Sequence, residues 1–429
     1  MTNRDRNAAQ PYRASSTRGS AGIGRTLTPA IALAALILAP PLASSAILRV
    51  PEDHATVRSA VGAAGHRDTI LIAPGVHPGG VFVDRKSLTL ASRFLGTGDT
   101  ALVSRTVLRG AAADMCAGLP GCAGGAVLEF GAAAHGSAVI GLTVTDGEDG
   151  IRSQAMVDIT SCHIVGNGDG VDFVSGSGGT FQNSLFARNR DDGIDLNGRI
   201  QARIIGNDIR ENRQDGVEYR LHAYRGPTQT IEFIGNRIVG NKSDGIQLID
   251  YPDVSSRIIR IEGNHFSANG DAAVGCLPDG RTIEDFGGAA VAERVLLIGN
   301  TFTGERHGLV GGANVVALNN IFTGIRVSAL RRVGGNSVAS SNLFWKNGTD
   351  ADECAFEPSG VLRADPRLDG SGRPAADSPA IDAGVARFVS KGDTLLNLPP
   401  TGYVGRAPDM GAVEAGRPGR LAPPAGRSN

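Results

Sequence analysis

From about residue 139 onward, short runs of alternating apolar and polar residues recur along the chain. The copies read "CHIVGNGDGVDF", "NSLFARNRDDGIDL", "IIGNDIRENRQDGVEY", "FIGNRIVGNKSDGIQL" and "IEGNHFSANGDAAVGC". Weaker copies follow as "LIGNTFTGERHGLVGG", "ALNNIFTGIRVSAL" and "SSNLFWKNG". They align on an apolar run, Gly-Asn or a stand-in, a second run ending in Asn, and then Asp-Gly followed by an apolar residue. Asn207 and Asn236 are 29 residues apart, Asn236 and Asn264 are 28, and Gly170, Gly193 and Gly216 follow at intervals of 23. Alternation this short predicts strands rather than helices, and a fixed period of about 20–30 residues predicts a solenoid. The expected fold is all-β, a parallel β-helix in which each copy is one coil and like positions stack along the axis.

That stacking predicts local roles. The recurrent asparagines are expected to bond one another up the axis at inward turns. Gly170, Gly193, Gly216 and Gly245 are expected to let the chain bend tightly. The ends need covers. "DHATVRSAVGAAG" supplies a helix with Asp53 as N-cap and Val57, Ala60, Val61 and Ala64 on one face. Beyond residue 360 the repeat is lost, so residues 47–360 form the β-helix and 361–415 a cap wrapped on the last coil. Residues 416–429, "GRPGRLAPPAGRSN", have the composition of a disordered tail.

Composition narrows the class. Formal net charge is −1, so charge alone indicates neither a nucleic-acid nor a membrane partner. Residues 1–46 run from an arginine-bearing polar lead through the apolar "LTPAIALAALILA" to "PPLASSA". This order predicts a secretory signal and an exported, periplasmic or extracellular protein, free of the membrane once cleaved. The five cysteines fit an oxidising compartment, with Cys116 expected to pair with Cys122, Cys276 with Cys354, and Cys162 to remain a buried thiol.

The chemistry concentrates in "NRDDGIDL". Aligned on the Asp-Gly step, Asp149, Asp169, Asp192, Asp215 and Asp244 make one column. Arg152, Asp172, Asp195, Glu218 and Gln247 make a second, outward-facing one. Coils lie about 4.8 Å apart, so Asp169, Asp172, Asp191, Asp192, Asp195, Asp215 and Glu218 crowd one patch. Protonation, neighbouring arginines (Arg188, Arg190, Arg199, Arg213, Arg220) or a bound cation would each offset the repulsion. All-oxygen ligands suit Ca²⁺, and no His/Cys spacing suggests zinc. The interruption "EYRLHAYRG" offers Tyr219, Arg220, His222, Tyr224 and Arg225. With Tyr251 in "IDYPDVSSR", it is expected to wall a groove.

Two resemblances follow. The opening "ILRVPEDHATVRSAVGAAGHRDTILIAPGVH" and the closing "SPAIDAG" and "PDMGAVE" resemble exported right-handed β-helix proteins of the pectin-lyase-like superfamily. "DGVDF…NRDDGIDL" resembles the calcium-binding region of family-nine pectate lyases. That resemblance implies Asp191, Asp192 and Asp195 as calcium ligands, with Asp169 or Asp172 supplying the earlier carboxylate. It also implies β-elimination on a uronate, with a basic residue (Lys242, Arg220 or Arg225) removing the proton. Tyr219, His222, Tyr224 and Tyr251 are then expected to touch an acidic polysaccharide bound by a monomer. Two alternatives stand beside this reading. A glycoside hydrolase would use an aspartate pair such as Asp192 and Asp195, or Asp172 and Asp195. A non-catalytic secreted binding or structural protein would use the acids for rigidity, and its scarce aromatics favour it. The Asp-Pro-His-Asp motif of mannuronan epimerases is missing.

Overall fold

The computed structural model describes residues 45–110, 124–174, 176–251 and 255–417. The predicted signal segment up to residue 44, Cys116, Cys122 and the tail beyond Arg417 lie outside the described residues. The repeats become coils of three strands. One coil runs through Ser137–Ile140, Thr143–Thr145 and Asp149–Ser153 before the next opens at Val157–Thr160. Like strands stack in parallel register into a first sheet of 12 strands and a second and third of 11 each. Alternate residues point inward, which buries Ile151, Val171, Ile194, Val217 and Ile246 completely. On the second sheet Phe266, Phe302, Phe322 and Phe344 stack at centroid spacings of 5.0, 4.6 and 5.2 Å.

Asparagine ladders hold two of the corners. Between the first and second sheets, Asn236, Asn264, Asn300, Asn320 and Asn342 each take the backbone N–H of the asparagine one coil below on a side-chain oxygen, at 2.8–2.9 Å, and Asn207 takes that of Ser184 at 3.0 Å. The residue before each must turn left-handed, and Gly235 does so at φ 63°. Between the second and third sheets a parallel ladder joins Asn167, Asn189, Asn212, Asn241 and Asn269. It ends on Glu305, a carboxyl buried in the next asparagine place and pushed up to about 8 by that burial. Asn236→Ala orphans the buried Asn207 N–H and Ile204 carbonyl. It should lower unfolding free energy by about 3 kcal/mol, read from the denaturant midpoint; a loss under about 1 kcal/mol would show that the ladder carries little.

The expected bending role of Gly170, Gly193, Gly216 and Gly245 is corrected. None has a positive φ. A Cβ on Gly193 would lie 2.6 Å from the Gly216 carbonyl oxygen, and the others meet the next coil in the same way. Glycine stands here because the next coil passes too close for a side chain.

The N-terminal helix spans Val57–Ala63 and buries Val57, Ala60 and Val61 against the first coil. Its N-cap is Thr56, in a reciprocal capping box with Ser59, and not Asp53, which instead accepts from the Arg49 N–H. At the other end Ser359 and Leu362 bridge to the last coil. The remaining C-terminal segment then folds back along the side of the solenoid. Asn319 holds Val385, Gly411 donates to Asn319, and Ala412 donates to Thr301. Cys276 and Cys354 are free, contrary to the expected pair, and Cys162 is a buried free thiol as expected. Among the described residues no helix is long and apolar enough to cross a membrane.

Candidate functional site

The two acid columns form as the sequence predicts. Asp149 stands in register with Asp169, and Arg152, Asp172, Asp195, Glu218 and Gln247 follow one another along the outer face of the third sheet. The Asp-Gly column has a backbone role that spacing alone did not reveal. Asp169 Oδ1 accepts the N–H of Asp192 at 3.0 Å, Asp192 Oδ1 that of Asp215 at 2.7 Å, and Asp215 Oδ1 that of Asp244 at 2.7 Å. Asp244 Oδ1 closes the series on the Ala272 N–H at 2.8 Å. Each of these aspartates thus commits one oxygen to the fold and keeps one for other work.

The outward column is closed at both ends by arginine. Arg152 pairs with Asp149 at 3.4 Å and Asp172 at 2.9 Å. Arg220 pairs with Glu218 at 2.5 Å. Asn197, two residues beyond Asp195 and on the same face, donates to Asp172 Oδ1 at 3.1 Å and Asp195 Oδ2 at 2.7 Å. Asp172 is therefore taken up by Arg152 and Asn197. Asp191 Oδ1 and Asp195 Oδ1 are buried without a hydrogen-bond partner among the described residues.

Two groups of carboxylate oxygens converge within 4.8 Å of one another: Asp169, Asp191 and Asp192, and next to it Asp192, Asp215 and Glu218. Of the arginines expected to neutralise them, Arg220 pairs with Glu218, while Arg188 and Arg190 are committed elsewhere. Arg188 pairs with Glu211, and Arg190 donates to the Gly166 and Gly147 carbonyls. Where no arginine reaches, burial favours the protonated form of Asp169, Asp192 and Asp195. Burial, reinforced by Glu218, pushes Asp195 up to about 8 and raises Asp192 well above the usual carboxylate range. Burial likewise brings Asp169 to about 7, with Asp191 and Asp149 adding to the rise.

The expected groove wall forms in part. His222 stacks on Tyr251 at 4.1 Å between centroids, and the Tyr251 hydroxyl faces Arg220. Buried Arg257 fixes this corner by donating to the His222 carbonyl at 2.7 Å. Tyr219 is corrected: strand parity turns it into the core, fully buried, with its hydroxyl on the Ile200 carbonyl at 3.3 Å. Tyr224 and Arg225 open the long first-sheet strand Tyr224–Ile234 instead of facing the acids. Tyr224 lines a groove there with Gln201, Arg203, Glu232 and Arg260. Lys242 is exposed two coils beyond Asp191, following the Arg213 position, which places it about 10 Å along the axis. Of the expected basic residues only Arg220 reaches the patch. Glu218, expected among the crowded acids but not as a ligand, follows Gly216 as Asp195 follows Gly193 and belongs to the second converging group.

Comparison with known proteins matches residues 124–256 to the model described as "Right handed beta helix region". The chain is a right-handed parallel β-helix. Pectate lyase L of Dickeya dadantii (strain 3937) is 25% identical to this β-helix over 272 residues, which are 56% of this chain and 63% of the relative. The chain thus matches less than two thirds of that relative's length. The solved pectate lyase Pel9A is 15% identical, with a TM-score of 0.49 over 86% of this chain and 97% of its own. The A-module of the Azotobacter vinelandii mannuronan C-5 epimerase AlgE6 is 14% identical, with a TM-score of 0.46 over 72% and 93%. At this level the structural likenesses carry no argument about activity.

Proposed function

We propose that this β-helix is an exported, calcium-dependent lyase that cleaves a uronate-containing polysaccharide by β-elimination. The observation that carries the proposal is the pair of buried, unpartnered oxygens on Asp191 and Asp195 beside the Asp169–Asp192 cluster. Those residues fit a hard cation: every donor is a carboxylate oxygen, and neighbouring carboxylates at this spacing destabilise one another without positive charge. Asp169, Asp191, Asp192 and Asp195 would hold it, with Glu218 at the edge. When bound, such a cation supplies neutralisation of a uronate carboxylate, which acidifies the proton on C5.

The chain's own groups divide the remaining tasks. Arg220 stays protonated, because burial works against its charge but Glu218, Tyr251 and Asp195 together outweigh it, and it offers a second positive contact for a substrate carboxylate. His222 is held neutral by partial burial and by Arg220 and Arg257, so it is available to accept a proton. Tyr251, stacked on His222, presents an aromatic face to a sugar ring. In the reaction the C5–H bond breaks to the base and the C4–O bond breaks. A C4=C5 double bond forms, and the departing oxygen takes a proton from water.

The test is incubation of the purified protein with polygalacturonate, polymannuronate and polyguluronate, with calcium or with a chelator, read by absorbance of unsaturated product. Calcium-dependent product from one of them is expected. New reducing ends without unsaturation would favour hydrolysis through an aspartate pair, and no product from any would favour a binding role.

A further inference from the structure

The outward column of the third sheet continues past the patch, from Gln247 to Gly275. After the strand Ala272–Leu277 the chain makes an excursion, residues 278–293, before the next strand at Arg294–Ile298. The excursion folds back over the third sheet. Gln247 Nε2 donates to the Thr282 carbonyl at 3.3 Å. The Phe286 ring lies 4.7 Å from the His307 ring and 4.2 Å beneath the Arg306 guanidinium. Arg331 donates to the Phe286 carbonyl at 3.3 Å.

This path delivers Glu284 to Asp244. A Cβ built on Gly275 would lie 2.1 Å from Asp244 Oδ2 and 2.7 Å from Glu284 Oε2, so both oxygens converge over the place where a side chain is missing. Apart from the contact of the two carboxyls with each other, neither oxygen has a hydrogen-bond partner among the described residues, and neither has Gln247 Oε1, whose residue is the register neighbour of Gly275. Asp244 and Gln247 are both 0% exposed. The arginines of this region serve other acids: Arg281 pairs with Asp285, Arg331 with Asp352, and Arg332 with Glu353.

We propose that Asp244, Glu284 and Gln247 form a second hard-cation site, separate from the Asp191–Asp195 patch, that pins the 278–293 excursion to the third sheet. Three oxygens, one of them a neutral amide carbonyl, are a donor set for Ca²⁺. Glu284 is only half-buried, which leaves water access for the remaining positions. Asp244 also keeps its other oxygen on the Ala272 N–H, so the same side chain ties the cation to the backbone ladder.

Limited proteolysis tests this directly, because Arg281 is exposed and lies within the excursion. Cleavage follows the population of the opened loop, so saturating calcium should slow trypsin after Arg281 by about tenfold or more relative to chelator. Glu284→Gln should abolish that protection and lower the terbium or calcium stoichiometry by one. Gly275→Ala, which keeps both carboxylates but fills their meeting place, should do the same. Asp191→Asn/Asp195→Asn should leave the protection intact, which separates this site from the proposed catalytic one. Cleavage indifferent to calcium in the wild type, or calcium protection surviving in Glu284→Gln, would overturn the proposal. Cleavage that responds to pH but not to calcium would overturn it too, since Asp244 and Glu284 would then share a proton.

Discussion

Asp195→Asn is expected to lower kcat/KM on the responsive polyuronate by a factor on the order of 1,000, equivalent to about 4 kcal/mol of transition-state charge stabilisation. The substitution keeps the size of the side chain and its contact with Asn197. It removes the charge behind the one Asp195 oxygen that the fold leaves unpartnered. Asp172→Asn is the informative contrast. Asp172 sits in register beside Asp195 but is held by Arg152 and Asn197. Its loss should disturb stability while leaving turnover within about tenfold, the smaller effect expected of a residue that supports ligands without being one. Equal effects from the two substitutions would mean that the patch acts as undifferentiated negative charge.

The second large effect is a dependence of stability on pH that calcium reverses. In chelator, the folded protein holds Asp169 and Asp195 protonated up to about 7 and about 8 respectively. The unfolded chain ionises both near the ordinary aspartate value. Between these limits the native state binds more protons, so unfolding free energy falls as pH rises from about 4 to about 8, the reverse of a salt-bridged aspartate. Between pH 5 and 8 the loss should be on the order of 6 kcal/mol for the two groups together, at up to about 1.4 kcal/mol per group and pH unit. Millimolar calcium should restore most of that stability at pH 8 and have little effect at pH 4, where protons occupy the same oxygens. Thermal unfolding at four pH values, with calcium and with chelator, measures both slopes. A chelator curve that rises towards pH 8 would contradict the electrostatic picture of the patch.

The solenoid was legible because its signals repeat. One Asp-Gly step is only a turn, but five in step specify register, and register alone places Asp172 beside Asp195 and Asp195 beside Glu218. Parity within a strand would also have shown Tyr219 pointing inward, since it lies one residue from outward Glu218. What a repeat cannot reveal is how one oxygen of a carboxylate is used. The hydrogen bonds from each Asp-Gly backbone to the coil below separate fold-bound from available oxygens, and they exist only once the coils are stacked. The irregular insertions were least legible. Placing Tyr224 on the first sheet and Tyr251 against His222 depends on Arg257, a buried cation whose partners are distant in sequence. The N-cap was misplaced for a local reason, since Asp53 and Thr56 are both good capping residues and only the reciprocal Ser59 contact favours the latter.

The most direct measurement is a calorimetric calcium titration of the wild-type protein at pH 8, beside Asp191→Asn/Asp195→Asn. The expected result is calcium binding by the wild type, with one equivalent lost in the double variant and the fold retained. Equal calcium binding by both proteins, or none by either, would contradict a metal centre built on Asp191 and Asp195 and remove the basis of the proposed lyase.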